Sequence, residues 1–322
     1  MPQPQFTVPI LLVVFNRPET TRRVFDEIRK QKPASLFIAA DGPRPNRPDD
    51  ATKCAEVRKI VSDIDWPCEV KTLFREKNLG FIQAEKLAFD WFFENVEEGI
   101  ILEDDQLPHP SFFRFAAEML KRYRDDEYIS MITGDNFLSD LKIENSYFYS
   151  RFFPIWGWAT WRRVWRQYDF NMTSWKDRKN KMRIQSMYPL SYVWNRMKKS
   201  FDEVYAHKNT WDSQWLYTCL MTGGYCIVPS VNLISNIGIE GTHSQGHNQN
   251  LPTHDLYANG PLRHPESISE NTQYDITFYE RNFKEPDWTT WERLRRFIIS
   301  ILVRYAWIKR LYRLFKPKKP VR

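Results

Sequence analysis

The sequence predicts an α/β protein with a mainly parallel sheet flanked by helices. Runs that are apolar on both faces alternate with helix-like stretches through the first hundred residues, the pattern of β-α-β units. Those runs end in polar or charged residues, which right-handed crossovers gather along one sheet edge. At 322 residues and 42% hydrophobic, the chain can bury such a sheet in one large domain or two small ones.

Taken in order, VPILLVVF (8–15) reads as a strand and 19–30 as a helix. SLFIAA (35–40) is a second strand, closed by Asp41-Gly42-Pro43, and 50–62 a second helix. CEVKTLF (68–74) is extended, 81–95 is helical with Leu87, Phe89, Trp91 and Phe92 as apolar positions, and GIIL (99–102) is the fourth strand. YISMITG (128–134) suits another strand. RFFPIWGWATWRRVW (151–165) sets four tryptophans within ten residues. Trp161 and Trp165 are four apart, as on the buried face of a helix, whereas Trp156 and Trp158 flank a glycine and one of them is expected to form an acceptor-site wall. Helical patterns follow over 188–203 and 212–222, then an extended piece at 224–235. Residues 236–275 are polar and aperiodic, either disordered or a loop that orders on binding.

Glu103, Asp104 and Asp105 follow the fourth strand directly. Adjacent carboxylates repel and resist desolvation, so the triplet needs a positive companion. An oxygen-preferring dication, Mn2+ or Mg2+, meets that need, and such ions often take one or two protein carboxylates plus substrate phosphates. The other strand ends add Asn16-Arg17, Asp41 and Asn78-Leu79-Gly80, where a glycine lets the backbone approach a nucleotide closely. One edge thus collects an arginine and several carboxylates, suited to a ligand that is part anion and part polyhydroxyl. Plainer readings exist: a surface acidic cluster, turn roles for Arg17 and Asp41, cap and turn roles for Asn78 and Gly80, and a helix cap at Asp212 or Ser213.

The unit LEDDQLPHPSFFRF resembles the DxD region of GT-A glycosyltransferases. FNRPETTRRVFDEI, IAADGPR, NLGFIQAEKLAFDWFF, WGWATWRRVW, TWDSQW and EGTHS extend the resemblance over roughly residues 8–245. The likeness is to the N-acetylglucosaminyltransferase I group and to bacterial family-2-like sugar transferases. It implies a GT-A domain over 1–290, with a nucleotide-sugar half of about 1–134 and an acceptor half of about 135–290. It implies inverting, metal-dependent transfer from a nucleoside diphosphate sugar, a UDP-sugar, to a hydroxyl of a glycan or lipid-linked acceptor. By position it puts Asp41 on the uracil, Arg17 near base and phosphates, Glu103 on a donor-sugar hydroxyl and Asp104 on the ribose. Asp105 would hold the metal, His243 would lie near metal or diphosphate, and Asp212 would be the general base. Two alternatives remain: a nucleotide-sugar-binding module without turnover, and a sugar nucleotidyltransferase. The absence of glycine from FNRPETT counts against the latter.

The formal net charge is +7. Residues 291–322 hold eleven lysines and arginines against Glu292, so this tail carries +10 and the remainder −3. A nucleic-acid binder spreads basic charge over its folded surface, and none is expected as a partner. Phe297, Ile301, Tyr305, Ile308, Tyr312 and Phe315 follow helical spacing, with Arg304 interrupting the stripe. Such a basic amphipathic tail suits an anionic membrane surface, or else packs as a terminal helix. Cys54, Cys68, Cys219 and Cys226 lie in no CxxC spacing and suit reduced thiols. No apolar run approaches the roughly 20 residues of a membrane span, so the expected location is cytoplasmic, peripheral at the inner membrane face.

Overall fold

Five buried or nearly buried apolar residues form β1 (Ile10–Val14), the strand on which the first half of the molecule is organised. The computed structural model describes residues 5–152, 154–188, 190–238 and 251–282, together with Leu294, Arg295, Phe297 and Ile298. Parallel to β1 on one side lies β2 (Ser35–Ala40), followed outward by β3 (Glu69–Phe74). On the other side, also parallel, lies β4 (Glu98–Glu103). The crossovers are α1 (Pro18–Gln31), α2 (Pro48–Ser62) and α3 (Phe81–Asn95). Proline opens α1 and α2, where its missing N–H is not needed and its fixed φ suits the first turn.

The direction of winding reverses after β3. The first two crossovers step outward from β1, whereas α3 returns across the sheet to β4. With right-handed crossovers this puts α3 on the face opposite α1 and α2. It also makes the gap between β1 and β4 a topological switch point, where the loops at the strands' carboxyl ends part and leave a crevice.

Beyond β4 come β5 (Gln106–Pro108), α4 (Pro110–Arg122), β6 (Ile129–Thr133), β7 (Tyr147–Ser150) and β8 (Trp158–Trp161). Next are α5 (Arg162–Trp165), α6 (Arg178–Gln185), α7 (Ser191–His207) and α8 (Asp212–Thr222). The described chain continues through β9 (Tyr225–Pro229), β10 (Ile234–Asn236) and α9 (Thr272–Asn282). The eight-stranded sheet has the order β3-β2-β1-β4-β8-β6-β9-β7, with β8 and β7 antiparallel to their neighbours. The fold is therefore α/β with a mainly parallel sheet, as the alternation predicted.

The helical reading of 81–95 keeps its ends, but its buried stripe differs. The inward positions are Ala84, Glu85, Ala88, Phe89, Phe92 and Phe93, while Leu87 is exposed. Phe89 is the hub of an aromatic core, edge-on to Trp158, Trp165 and Trp211 at 5.6, 5.5 and 4.8 Å. Trp161 and Trp165 are both core residues, yet not on one helix: Trp161 ends β8 and Trp165 ends α5. Trp158 is fully buried in β8 and forms no acceptor wall, whereas Trp156 remains half-buried against Phe137.

The polar stretch 236–275 ends in part of α9, which has no counterpart among the predicted elements. Phe278 of this helix stacks on Phe152, and Asp275 anchors it to the end of β7. The predicted tail lies outside the described residues except for Leu294, Arg295, Phe297 and Ile298, which are helical and exposed. Among the described residues no helix is long and apolar enough to cross a membrane. All four cysteines are free, and Cys54, Cys219 and Cys226 are buried.

Candidate active site

At the switch point between β1 and β4, Arg17 meets the acidic triplet. Strand β4 pairs with β1 up to Glu103 opposite Val13, so the two chains leave the sheet side by side. Asp104 then reaches back to β1: its Oδ2 accepts from the Phe15 backbone N–H at 3.1 Å. Arg17, at the start of α1, closes the crevice. Its Nη1 donates to Asp104 Oδ1 at 3.0 Å and to Asp105 Oδ2 at 2.8 Å.

The turn after β4 is fixed by Gln106, which is 1% exposed. Its Oε1 accepts from the Glu103 N–H at 3.2 Å and the Gly157 N–H at 2.8 Å. The antiparallel pairing of β5 with β10 then lays Ile237 and Gly238 over the triplet. Ile237 N donates to Asp105 O at 2.8 Å. A Cβ at Gly238 would stand 2.3 Å from Asp105 Oδ2, so only glycine lets the chain pass this close.

Electrostatics follow from this crowding. Glu103, Asp104 and Asp105 are all held above the ordinary carboxylate range, first by burial. For Glu103 the Asp105 and Asp104 charges push the same way, while Arg17 opposes the rise at Asp104 and Asp105. One guanidinium is thus set against three carboxyls. Carboxylate oxygens are the donors a hard dication prefers, and of the three Glu103 is the partly exposed one while Asp104 and Asp105 are buried. Among the described residues no group of three or more His, Cys, Asp or Glu side chains is placed to hold a metal ion by itself. A shared site needs fewer, since Mg2+ bound beside a nucleotide draws further oxygens from phosphate and water. His243 lies outside the described residues.

Asp41 has a different setting from a base-binding carboxylate. Its Oδ2 accepts from Asn78 Nδ2 at 2.9 Å and from the Leu79 and Gly80 N–H groups at 3.0 and 3.1 Å. Asp41, Asn78 and Gly80 therefore form one unit, in which the carboxylate shapes the turn leading into α3. Gly80 has φ +78°, a conformation that favours glycine. Neighbouring loops are tied in as well: Asn16 Nδ2 and the Arg44 guanidinium both donate to Asp50.

Asp212 is the first residue of α8, with Trp211 at the cap position. Its Oδ1 accepts from the Thr210 hydroxyl and the Ser213 N–H. Trp211 is 1% exposed and stacks on Trp158 at 5.9 Å, so the carboxylate projects from a rigid aromatic base. Among the described residues no donor meets Asp212 Oδ2.

One site residue was missed in the sequence. Glu85 lies in the buried stripe of α3, one turn before Phe89, and is 5% exposed. Burial pushes its carboxyl well up, and Glu103, Asp212 and Asp104 add to the rise, while the Trp211 indole opposes it. Its Oε2 is buried without a hydrogen-bond partner. Glu85 thus feels the charges of both the triplet and Asp212. The signal was present: a carboxylate at i−4 from an aromatic hub cannot be a solvated helix position.

No family model matches the sequence, and no curated protein matches it. Solved structures show distant likeness. A UDP-glucose pyrophosphorylase bound to UDP-glucose aligns with 50% of this chain and 78% of its own, at 10% identity and TM-score 0.32. An inositol-1-phosphate CTP transferase from T. maritima aligns over 70% and 85%, at 11% identity and TM-score 0.34. A 4-diphosphocytidyl-2C-methyl-D-erythritol synthase from Anaerococcus prevotii aligns over 50% and 74%, at 8% identity and TM-score 0.29. This is a likeness to nucleotidyltransferases in general fold, too remote to speak for a reaction.

Proposed function

We propose that the protein is an inverting, metal-dependent glycosyltransferase that moves a sugar from a nucleoside diphosphate, UDP, to a hydroxyl of a glycan or lipid-linked acceptor. The observation that carries the reading is the pairing at the switch point, where Arg17 spans Asp104 and Asp105; Glu85 feels the charges of both this triplet and Asp212. In this reading Arg17 meets the diphosphate, and the Asn78–Gly80 turn held by Asp41 receives the base. Asp104 accepts from the ribose and Glu103 from a hydroxyl of the transferred sugar. Asp105, with His243, would hold Mn2+ or Mg2+, and such an ion offsets charge on a departing diphosphate. Asp212 takes the acceptor hydroxyl's proton as that oxygen attacks the anomeric carbon. A single displacement from the face opposite the leaving group inverts the centre. The half-buried Trp156 offers a surface for the acceptor sugar, and the basic tail an attachment to anionic lipid at the inner membrane face.

A sugar nucleotidyltransferase is the second reading, and the solved structures above carry names of that class. The crevice itself would take a sugar phosphate and a nucleotide equally well. What weighs against it is the β1–α1 loop, Phe15-Asn16-Arg17, which leads into Pro18 without a glycine turn to cradle a triphosphate.

Products separate the two. A thermal-shift screen of UDP-, GDP- and dTDP-sugars with Mn2+ would identify the donor. That donor should then yield nucleoside diphosphate, with the sugar on an acceptor or on water. Nucleoside triphosphate and sugar 1-phosphate formed on adding pyrophosphate would favour the nucleotidyltransferase. Binding with neither product would mark a nucleotide-sugar-binding module.

A further inference from the structure

We propose that Arg17 is a placeholder cation for the acidic triplet, and that its release couples dication binding to diphosphate binding. The inference rests on the nucleotide-sugar reading above and names how that site is loaded.

Asp105 Oδ2 is crowded by two neighbours. Arg17 Nη1 lies 2.8 Å away, and the Gly238 backbone passes so close that an added Cβ would stand 2.3 Å from the same oxygen. The same guanidinium nitrogen also holds Asp104 Oδ1 at 3.0 Å. A dication coming to Asp105 therefore meets a positive group already seated on the oxygen it needs, and like charges this close repel strongly in a partly buried site. With the ion alone, Arg17 would give up charged hydrogen bonds and gain nothing in return.

A diphosphate changes that balance. It offers the guanidinium a planar, bidentate anionic partner. The Arg17 side chain is 38% exposed, so it has room to turn outward while both aspartates stay in place. With Arg17 turned to the phosphates, Asp105 would be free to hold the ion. Each ligand thus favours the other, as linkage requires. The dication binds weakly by itself and tightly once nucleotide is present.

Direct titration of the full chain with Mn2+, with free ion followed by electron paramagnetic resonance, tests this with and without UDP. In the wild type UDP should raise Mn2+ affinity by about tenfold or more. Arg17→Gln and Arg17→Met, each first shown folded by circular dichroism, should bind Mn2+ alone about tenfold more tightly than the wild type and respond less to UDP. Mn2+ binding to the folded variants that is no tighter than wild type would overturn the placeholder role. So would a wild type whose Mn2+ affinity ignores UDP. If Mn2+ fails to bind the wild type even beside bound UDP, the metal-dependent reading fails and this inference with it.

Discussion

Asp212, the base in the proposed function, is held firmly by its neighbours. Thr210 and Ser213 hold one oxygen, and Trp211 fixes the backbone in the aromatic core. The other oxygen has no donor among the described residues, and in the proposed function it faces the acceptor hydroxyl. Asp212→Asn keeps the shape and loses the base. It should lower kcat by about a hundred- to ten-thousand-fold while UDP affinity stays within about twofold. Unchanged kcat would remove Asp212 from the chemistry. At this scale the sequence was informative where charge was concentrated. The three adjacent carboxylates could be read directly, because such a run has no cheap apolar explanation. Glu85 escaped because the helix phase was set by Leu87 and Trp91, which are large, instead of by Ala84 and Ala88, which are small and buried. The local bonds of Asp41 could not be read from the sequence. A carboxylate beside a Gly-Pro turn has backbone donors within reach that a linear sequence does not display.

At the scale of elements, the strands and crossovers of the first hundred residues were legible because parallel strands buried on both faces read as continuous apolar runs. The later elements were harder. Strand β7 (Tyr147–Ser150) is aromatic and short, and α9 follows a long irregular stretch, so neither has a repeating pattern to follow. What fixes α9 is a tertiary bond. The Ser150 hydroxyl and the Arg151 N–H donate to Asp275, whose carboxyl is nevertheless pushed up to about 7 by burial. The folded chain therefore keeps a proton that the unfolded chain releases near an ordinary aspartate value of about 4. Between those values the native state binds more protons than the unfolded state. This contribution is full at low pH and drains as pH rises through about 7, by about 1.4 kcal/mol per unit at most. Asp275→Asn carries no such proton. Thermal melts from pH 4 to 8 should show its stability falling less with pH than that of the wild type, and parallel profiles would contradict the assignment.

For the whole molecule, the decisive feature is the reversal of winding between β1 and β4. It brings residues 17, 41, 78–80 and 103–105, far apart in sequence, to one rim, and α8 adds Asp212 to the same neighbourhood. Strand direction and crossover hand made that rim predictable; the pairing of Arg17 with two aspartates was not, because it depends on side-chain reach. The body and the basic tail differ in charge by design of the sequence, the tail at +10 and the remainder at −3. In the proposed function a cation brought in with the substrate balances the rim's surplus of carboxyls. The most direct measurement is a crystal structure of the chain with UDP and Mn2+. The account predicts the ion on Asp105, the diphosphate between that ion and Arg17, and the base against the Asn78–Gly80 turn. A nucleotide bound away from this crevice, with Arg17 still paired to Asp104 and Asp105, would contradict it.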